Sequence, residues 1–318
     1  MLALSNAIAF VLATILALHG LRKRSLSPSG AVAAFIVGYF MMAVKLKTFG
    51  VSLIAFYLIG SRATKVGKSI KQTLEEGHDS AGGGYRNAWQ VFCNSYMAFV
   101  CAMAWEAFFV PRSIQAYLMP SSVTSFFIRH RLRLPYEPYA WCALSGSGQF
   151  AWSRVLVFGS LAHFACCLGD TLSSELGILS RSPPRLITTF KPVPPGTNGA
   201  VSLVGTVVSW LGGALMGFIT FISLYTENEA CRKGNPSIFL AELVIYGALA
   251  GGIGSLIDSL MGATLQQTRY SVTSKKILQD DTVIEGEVKV VSGWNILTNN
   301  QINLLSSMLT SFIIAALV

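Results

Sequence analysis

Asp170 and Glu175 lie in the block Gly169-Asp-Thr-Leu-Ser-Ser-Glu-Leu-Gly177, at the end of an apolar run that begins near Trp152, and Lys191-Pro-Val-Pro-Pro-Gly-Thr-Asn-Gly199 opens the next run. A charge at the edge of hydrocarbon costs several kcal/mol unless it pairs, snorkels or lines a wet cavity, so both acids are candidates for function. Handling phosphate at a membrane face needs cations and backbone N–H groups for the oxygens. It also needs one or two carboxylates for a hydrated Mg²⁺. The sequence supplies each part. Arg62 and Lys65, three residues apart, face the same way on a helix. The Pro192–Gly199 run cannot continue a helix, and Gly196, Thr197, Asn198 and Gly199 let backbone approach an anion that the following helix dipole would favour. Asp258, Gly262 and Gln266 align at four-residue steps, with Gly262 leaving room for a phosphate beside Asp258. Asp170 and Glu175 are separated by about 140° around an ideal helix, so they do not face one point. Asp170 and Asp258, from different runs, are therefore the preferred metal pair, and with Glu175 and Lys191 they form the catalytic set. The alternative is a closed ion-pair network in which the acids neutralise Arg62, Lys65, Arg185 and Lys191.

The elements that must position these groups follow from composition. A chain of 318 residues that is 52% hydrophobic and only 12% charged exceeds what a soluble fold needs. Apolar stretches suited to a helix of roughly 20 residues occur at about Leu2–Gly20, Gly30–Val44, Phe49–Lys65, Trp89–Val110, Trp152–Gly169, Gly199–Tyr225, Ser237–Leu260 and Ile302–Val318. The expected fold class is all-α, a polytopic integral membrane bundle of about eight spans, or six or seven if residues 30–65 form one re-entrant hairpin. The runs are continuously apolar, which is not the alternation of a β-barrel.

Arg22, Lys23 and Arg24 directly follow the first run, the reverse of a cleavable signal peptide, so that run is expected to stay as an anchor with its N-terminus non-cytoplasmic. With eight spans, the connections after odd-numbered helices hold 15 of the 24 Lys and Arg residues. These connections are the expected cytoplasmic side, against the basic cluster Arg129–Arg133 on the other. The Gly60–Lys65, Asp170, Thr197–Gly199, Asp258–Gln266 and Thr298–Asn303 blocks then share one face. Glu106 and Glu242 stand alone opposite and read as structural interfacial acids.

No cysteine pair has metal spacing, and the six cysteines read as small core residues. His163 reads as a helix-to-helix hydrogen-bonding group, and Gly213/Gly217 and Gly247/Gly251 as close helix contacts. Residues 66–88 and 112–151 read as connectors. The longest cytoplasmic segment, 266–300, carries an alternation over Thr282–Val291 that suggests a small β-hairpin. No nucleic-acid motif is present, and the net charge of +9 suits basic loops against anionic lipid.

In the blocks GDTLSSELG, PRLITTFKPVPPGTNGAVSLVG, DSLMGATLQ and ILTNNQINLLSS, preceded by SLSPSGAVAAFIVG, GSRATK and GGGYRNAWQVFCN, the chain resembles the transmembrane protein 19 family over nearly its whole length. That family includes a plant phytyl-phosphate kinase and is distantly similar to CTP-dependent polyprenol kinases and CDP-diacylglycerol synthases. By this resemblance Asp170, Thr171, Glu175, Lys191, Asn198, Asp258 and Gln266 match motif positions. Leu172-Ser173 replaces the Trp-Ala of many relatives, which leaves substrate choice open. The resulting expectation is a membrane protein that binds an isoprenoid phosphate and CTP or ATP with Mg²⁺ at its cytoplasmic face, and transfers a phosphoryl group. Arg62, Lys65 and Lys191 would hold phosphates and Asn198 would orient them, although neither a Walker loop nor a kinase loop is present. The alternative is a non-enzymatic transporter or scaffold. The expected location is an endomembrane or the plasma membrane; the organelle and the oligomeric state are left open.

Overall fold

In lipid every backbone polar group must be satisfied internally, so continuous apolar runs become helices. The computed structural model describes residues 2–66, 75–76, 85–120, 122, 125, 135–146, 148–180, 182–278 and 286–318. Each of the eight apolar runs is helical. The helices are α1 (Leu2–Arg22), α2 (Pro28–Ala43), α3 (Thr48–Val66), α4 (Ala88–Cys93), α5 (Tyr96–Phe109), α6 (Ile114–Leu118), α7 (Ala151–Leu176), α8 (Leu203–Glu227), α9 (Glu229–Lys233), α10 (Pro236–Leu265) and α11 (Asn299–Leu317). Among the described residues five helices are long and apolar enough to cross a membrane: α1, α7 with its 3₁₀ extension, α8, α10 and α11. α2 and α5 are shorter apolar helices. The fourth run is broken at Asn94–Ser95 into α4 and α5.

α7 is the axis of the bundle, packed against α3, α5, α8, α10 and α11. Glycine lets three of these helices touch backbone to backbone. A Cβ on Gly213 of α8 would stand 2.1 Å from the Gly247 carbonyl of α10, and one on Gly217 2.1 Å from the Leu243 carbonyl. One on Gly169 of α7 would meet the Gly251 carbonyl at 2.7 Å. These glycines are packing residues, as their four-residue spacing implies. α1, α2 and α3 form a second layer, with α4 against α2.

Residues 30–65 form two helices, α2 and α3, joined at Val44–Lys47. Two carboxylates from other helices hold that turn. Glu227 accepts from the Lys47 and Thr48 amides at 2.7 and 2.8 Å and from the Thr48 hydroxyl. Glu106 accepts from the Lys45 amide at 2.8 Å. Capping the start of α3 with an anion satisfies otherwise orphaned donors and suits the helix dipole. Lys47 fills the same turn, donating to Ser5 Oγ and to the Met42 and Val44 carbonyls. Burial draws its pKa below the ordinary lysine value, with Glu106 and Glu227 opposing. Glu242 pairs with Arg154 at 2.9 Å, and Arg154 also donates to the Leu144 and Val318 carbonyls. Glu106 and Glu242 thus both have structural partners.

All six cysteines are buried, as the sequence implies, and two of them on this face are also paired. Cys142 and Cys231 form a disulfide, with Cα atoms 4.4 Å apart at a sequence separation of 89. Cys93, Cys101, Cys166 and Cys167 are free and buried. A pairing at that separation leaves no local spacing signal, because tertiary structure alone brings the two segments together.

The opposite face carries the short strands. β1 (Glu75–Glu76), β4 (Thr268–Ser271), β5 (Lys276–Leu278) and β6 (Val288–Ser292) form a sheet of order β1-β5-β4-β6. β4 pairs antiparallel with both β5 and β6. The alternation read at Thr282–Val291 falls partly on β6, and its residues 282–285 lie outside the described residues, as do Gly82–Gly84 and Arg129–Arg133. β2 (Arg185–Leu186) pairs antiparallel with β3 (Ala200–Val201), which folds 185–201 into a hairpin ahead of α8.

Candidate functional site

The last two turns of α7 carry Asp170, Thr171 and Glu175, and polar groups from other helices converge on them. Ser255 on α10, one turn before Asp258, donates to Asp170 Oδ1 at 3.4 Å. The two carboxylates lie within range of each other's charge. Asp258 is buried, and its partners come from α11: Ser306 donates to Oδ2 at 2.8 Å. The Asn303 amide, turned so that its nitrogen faces the carboxylate, donates at 3.2 Å. Asp170, Asp258 and Ser306 stand six or seven residues from the same-face ends of their helices, roughly 10 Å deep at 1.5 Å per residue. The cluster lies nearer one end of these helices than the other.

Arg86 forms a second pole on the α3 side of α7. Its backbone is clamped between Ser25 and Ser27, accepting from the Ser27 amide and donating to the Ser25 carbonyl, both at 3.1 Å. Its Nη1 donates to Ser61 Oγ at 2.9 Å. A Cβ on Gly60 would lie 3.6 Å from Arg86 Nη2 and 3.9 Å from Thr171 Cγ2, so guanidinium and α7 block meet at this glycine. Burial pulls the Arg86 pKa below its ordinary value, while the charges of Tyr57 and Glu175 push it back up. An arginine stays protonated throughout.

Arg86 also lines a cavity of about 80 Å³ between α1, α2, α3 and α4. This volume is below the roughly 300–1,000 Å³ usual for ligand sites. Asp170, Lys191 and Asp258 do not line it.

The other expected site residues are distributed more widely. Arg62 and Lys65 are exposed on α3. Lys191 is exposed on the β2–β3 hairpin, where its backbone carbonyl accepts from the Leu186 amide. Gly196 and Gly199 adopt positive φ of 88° and 72°. A Cβ on Gly199 would stand 2.3 Å from the Ser259 carbonyl, so only glycine lets this turn lie against α10. Gly262 faces the same turn, with Gly199 N 3.2 Å from where its Cβ would be, and the space beside it is filled by that backbone. Thr197 is buried and donates to the Pro194 carbonyl. The Asn198 amide donates to Thr268 Oγ1 at 3.1 Å, tying the turn to the sheet. Gln266 is buried at the C-terminal cap of α10. The start of α8 is capped by Ser202, whose Oγ accepts from Gly205 N at 3.1 Å.

Sequence reasoning about sites missed Arg86, Ser61, Ser255 and Ser306. Ser255 was accessible through its i, i+3 spacing to Asp258, which puts both on one helix face. Arg86 lies outside every apolar run and gave no such signal. Among the described residues no three His, Cys, Asp or Glu side chains gather. The donors on offer are hard oxygens: two carboxylates with hydroxyl and amide neighbours.

A family model described as "Integral membrane protein DUF92" matches residues 11–311. The chain belongs to this family. Protein PGR of Arabidopsis thaliana is 33% identical over 314 residues, 96% of this chain and 93% of the relative. Uncharacterized membrane protein sll0875 of Synechocystis is 26% identical, with 84% of this chain and 83% of that protein covered. Protein VTE6, chloroplastic, of Arabidopsis thaliana is 26% identical, covering 82% of this chain and 61% of that protein. No solved structure matches. Membership in the DUF92 family agrees with the resemblance carried by the motif blocks, and makes this an integral membrane protein.

Proposed function

We propose that this DUF92 protein is a phosphotransferase that passes a phosphoryl group from a nucleoside triphosphate, CTP or ATP, to an isoprenoid monophosphate. The observation that carries this reading is that Ser255, one turn before Asp258 on α10, donates to Asp170 of α7, which brings acids of two spans to the same depth about two turns below one face. Repulsion within a carboxylate pair is relieved by a cation, and a hard-oxygen donor set suits hydrated Mg²⁺. When bound there, Mg²⁺ neutralises charge on the phosphoryl group being transferred.

The chain's own residues have the following parts. Arg86 holds the acceptor phosphate at the mouth of the cavity. Asp170 and Asp258 would hold Mg²⁺, their carboxylates oriented by Ser255, Ser306 and Asn303. Arg62, Lys65 and Lys191 are exposed cations for the nucleotide's phosphates, reached when the nucleotide docks on this face. An oxygen of the acceptor phosphate forms the new P–O bond as the bond between the γ-phosphorus and its bridging oxygen breaks, and the electron pair leaves with the nucleoside diphosphate. The acceptor oxygen is already anionic at neutral pH, so this transfer needs no strong general base. Positioning and charge neutralisation do most of the work.

The disulfide supports the orientation. Disulfides persist in oxidising compartments, so the Cys142–Cys231 face is the non-cytoplasmic one, with the N-terminus beside it through Ser5 and Lys47. The carboxylate face then meets cytosolic nucleotide, in agreement with the excess of basic residues there, on an endomembrane or the plasma membrane. A transporter would favour a helix break near the membrane midplane. The Asn94 backbone reaches His163, midway along α7, and this break is the observation that favours the transporter.

The test is transfer from γ-labelled CTP or ATP to a panel of prenyl monophosphates by the purified protein with Mg²⁺. Label is expected in a prenyl diphosphate, and is lost in Asp258→Asn. A folded protein that transfers label to none of them, with either nucleotide, overturns the reading in favour of the transporter or scaffold.

A further inference from the structure

α7 carries a polar residue at nearly every turn of one stripe: Ser153, Ser160, His163, Cys167 and Asp170, spaced by seven, three, four and three residues. These steps keep all five on one side of a helix. His163 lies midway, twelve residues from Ala151 and thirteen from Leu176, near the centre of a hydrocarbon core roughly 30 Å thick. It is fully buried, and among the described residues its Nδ1 has no hydrogen-bond partner. An ionisable side chain at that depth is costly and marks a proton or ion path. Its Nε2 stands 3.9 Å from Cys167 Sγ. Ser307 of α11 shares a side-chain hydrogen bond with Cys167, and the adjacent Ser306 donates to Asp258 at 2.8 Å. Hydroxyl, thiol and imidazole thus connect the carboxylates to the midplane. On its other side the ring meets the Asn94 backbone, at the break between α4 and α5. The stripe then continues through Ser160 to Ser153, which donates to the Ala143 carbonyl beside the disulfide.

Hydroxyls at a helix contact are accounted for as interhelical glue, but an imidazole nitrogen without a partner beside a broken helix is not. The chemistry of the groups decides what passes. A hard cation asks for carboxylate and carbonyl oxygens, whereas thiol and imidazole are poor ligands for it. An imidazole takes up and gives back a proton. The titratable groups nearest the ring are Cys93 on α4, Cys101 on α5, Asp258 on α10, and Cys166, Cys167 and Asp170 on α7. α11 carries none. The remaining charges of the helices packed on α7 sit toward the helix ends: Arg62 and Lys65 at the carboxylate face, and Glu106, Glu227 and Glu242 at the disulfide face. No cation stands beside the ring among the described residues to oppose its protonation. We propose that His163 is a proton relay at the bilayer midplane, which passes protons between the carboxylate face and the disulfide face along the α7 stripe. In the tautomer with its proton on Nδ1, Nε2 accepts a proton handed on by Cys167, and the ring releases the Nδ1 proton toward the break. One proton enters for each that leaves, and no electrons move. This activity goes beyond phosphoryl transfer and does not depend on it.

The test places the purified full chain in phosphatidylcholine–phosphatidylglycerol vesicles that hold a pH-sensitive dye, and drives protons inward with a potassium diffusion potential set by valinomycin. Wild-type protein is expected to acidify the interior at least about tenfold faster than protein-free vesicles do. His163→Gln, which keeps a hydrogen-bonding side chain but takes no proton, should fall to the protein-free rate while its melting temperature stays within a few degrees of wild type. Cys167→Ala should slow the flux at least about threefold. A second measurement needs no variant: exchange of the imidazole C2 hydrogen with deuterated water, read by mass spectrometry on the peptides holding His163 and the exposed His19. A relay in contact with mobile protons should exchange within about a hundredfold of His19. Wild-type flux no faster than protein-free vesicles, a folded His163→Gln protein that conducts like wild type, or slower exchange at His163 each overturn the proposal. Proton flux without phosphoryl transfer keeps the relay and removes the kinase reading. Transfer without flux does the reverse.

Discussion

Ser306 on α11 donates a 2.8 Å hydrogen bond to Asp258 Oδ2 on α10, so the buried acid of one helix is held by a neutral hydroxyl of the next. With Asn303 on the same carboxylate, Asp258 has donors that bond an amide oxygen as readily as a carboxylate. Neither partner is a cation that would be stranded by its neutralisation.

Asp258→Asn is therefore expected to fold. Exchanging a charged for a neutral acceptor costs about 1 kcal/mol, so the melting temperature in detergent should change by only a few degrees. The Mg²⁺-dependent part of the wild-type thermal shift should disappear, and Asp170→Asn should behave alike. If both variants collapse, and removing charge at Arg62 or Lys191 restores them, the acids belong to a structural ion-pair network.

Arg86 separates stability from binding. Arg86→Gln removes a buried cation within the field of Glu175, and leaving a buried charge without its counter-charge is destabilising. Arg86→Gln/Glu175→Gln should recover most of that loss in thermal melts. It should not recover affinity for a prenyl monophosphate, expected to fall at least about tenfold. Recovery of both would make Arg86 purely structural.

The disulfide gives a stability and a topology prediction. Closing a loop at a separation of 89 residues is worth about 4.6 kcal/mol in the chain-entropy account, so Cys231→Ser should melt well below wild type. Impermeant maleimide applied to intact cells should label Tyr139→Cys, on the disulfide face, and spare Thr273→Cys in the β4–β5 connection. The opposite pattern inverts the topology and separates the carboxylates from cytosolic nucleotide.

Gly213→Ala tests the backbone contact between α8 and α10. Its Cβ would sit 2.1 Å from the Gly247 carbonyl, and overpacking of this kind costs about 1–3 kcal/mol or more. Gly38→Ala, with only ordinary contacts, should leave the melting temperature unchanged or raised. Equal behaviour of the two would mean that α8 and α10 separate without cost.

What the sequence alone determined is the part of this protein that lipid enforces locally. A span must satisfy its own backbone within one continuous apolar segment, so the positions of the eight runs, the all-α class and the four-residue glycine pairs could be read one segment at a time. The placing of Asp170 and Asp258 on one face followed from counting crossings. Tertiary structure decided which groups meet. Helix rotation and neighbour choice depend on contacts such as Gly213 on Gly247 and Gly199 on Ser259, made between segments distant in the chain. Those contacts left Arg62 and Lys65 exposed, brought Arg86 to Ser61, filled the space beside Gly262 with backbone, and joined Cys142 to Cys231. Residue type and spacing name the groups able to do chemistry; the packing angles of helices, set by side-chain size over many residues, decide which of them share a site.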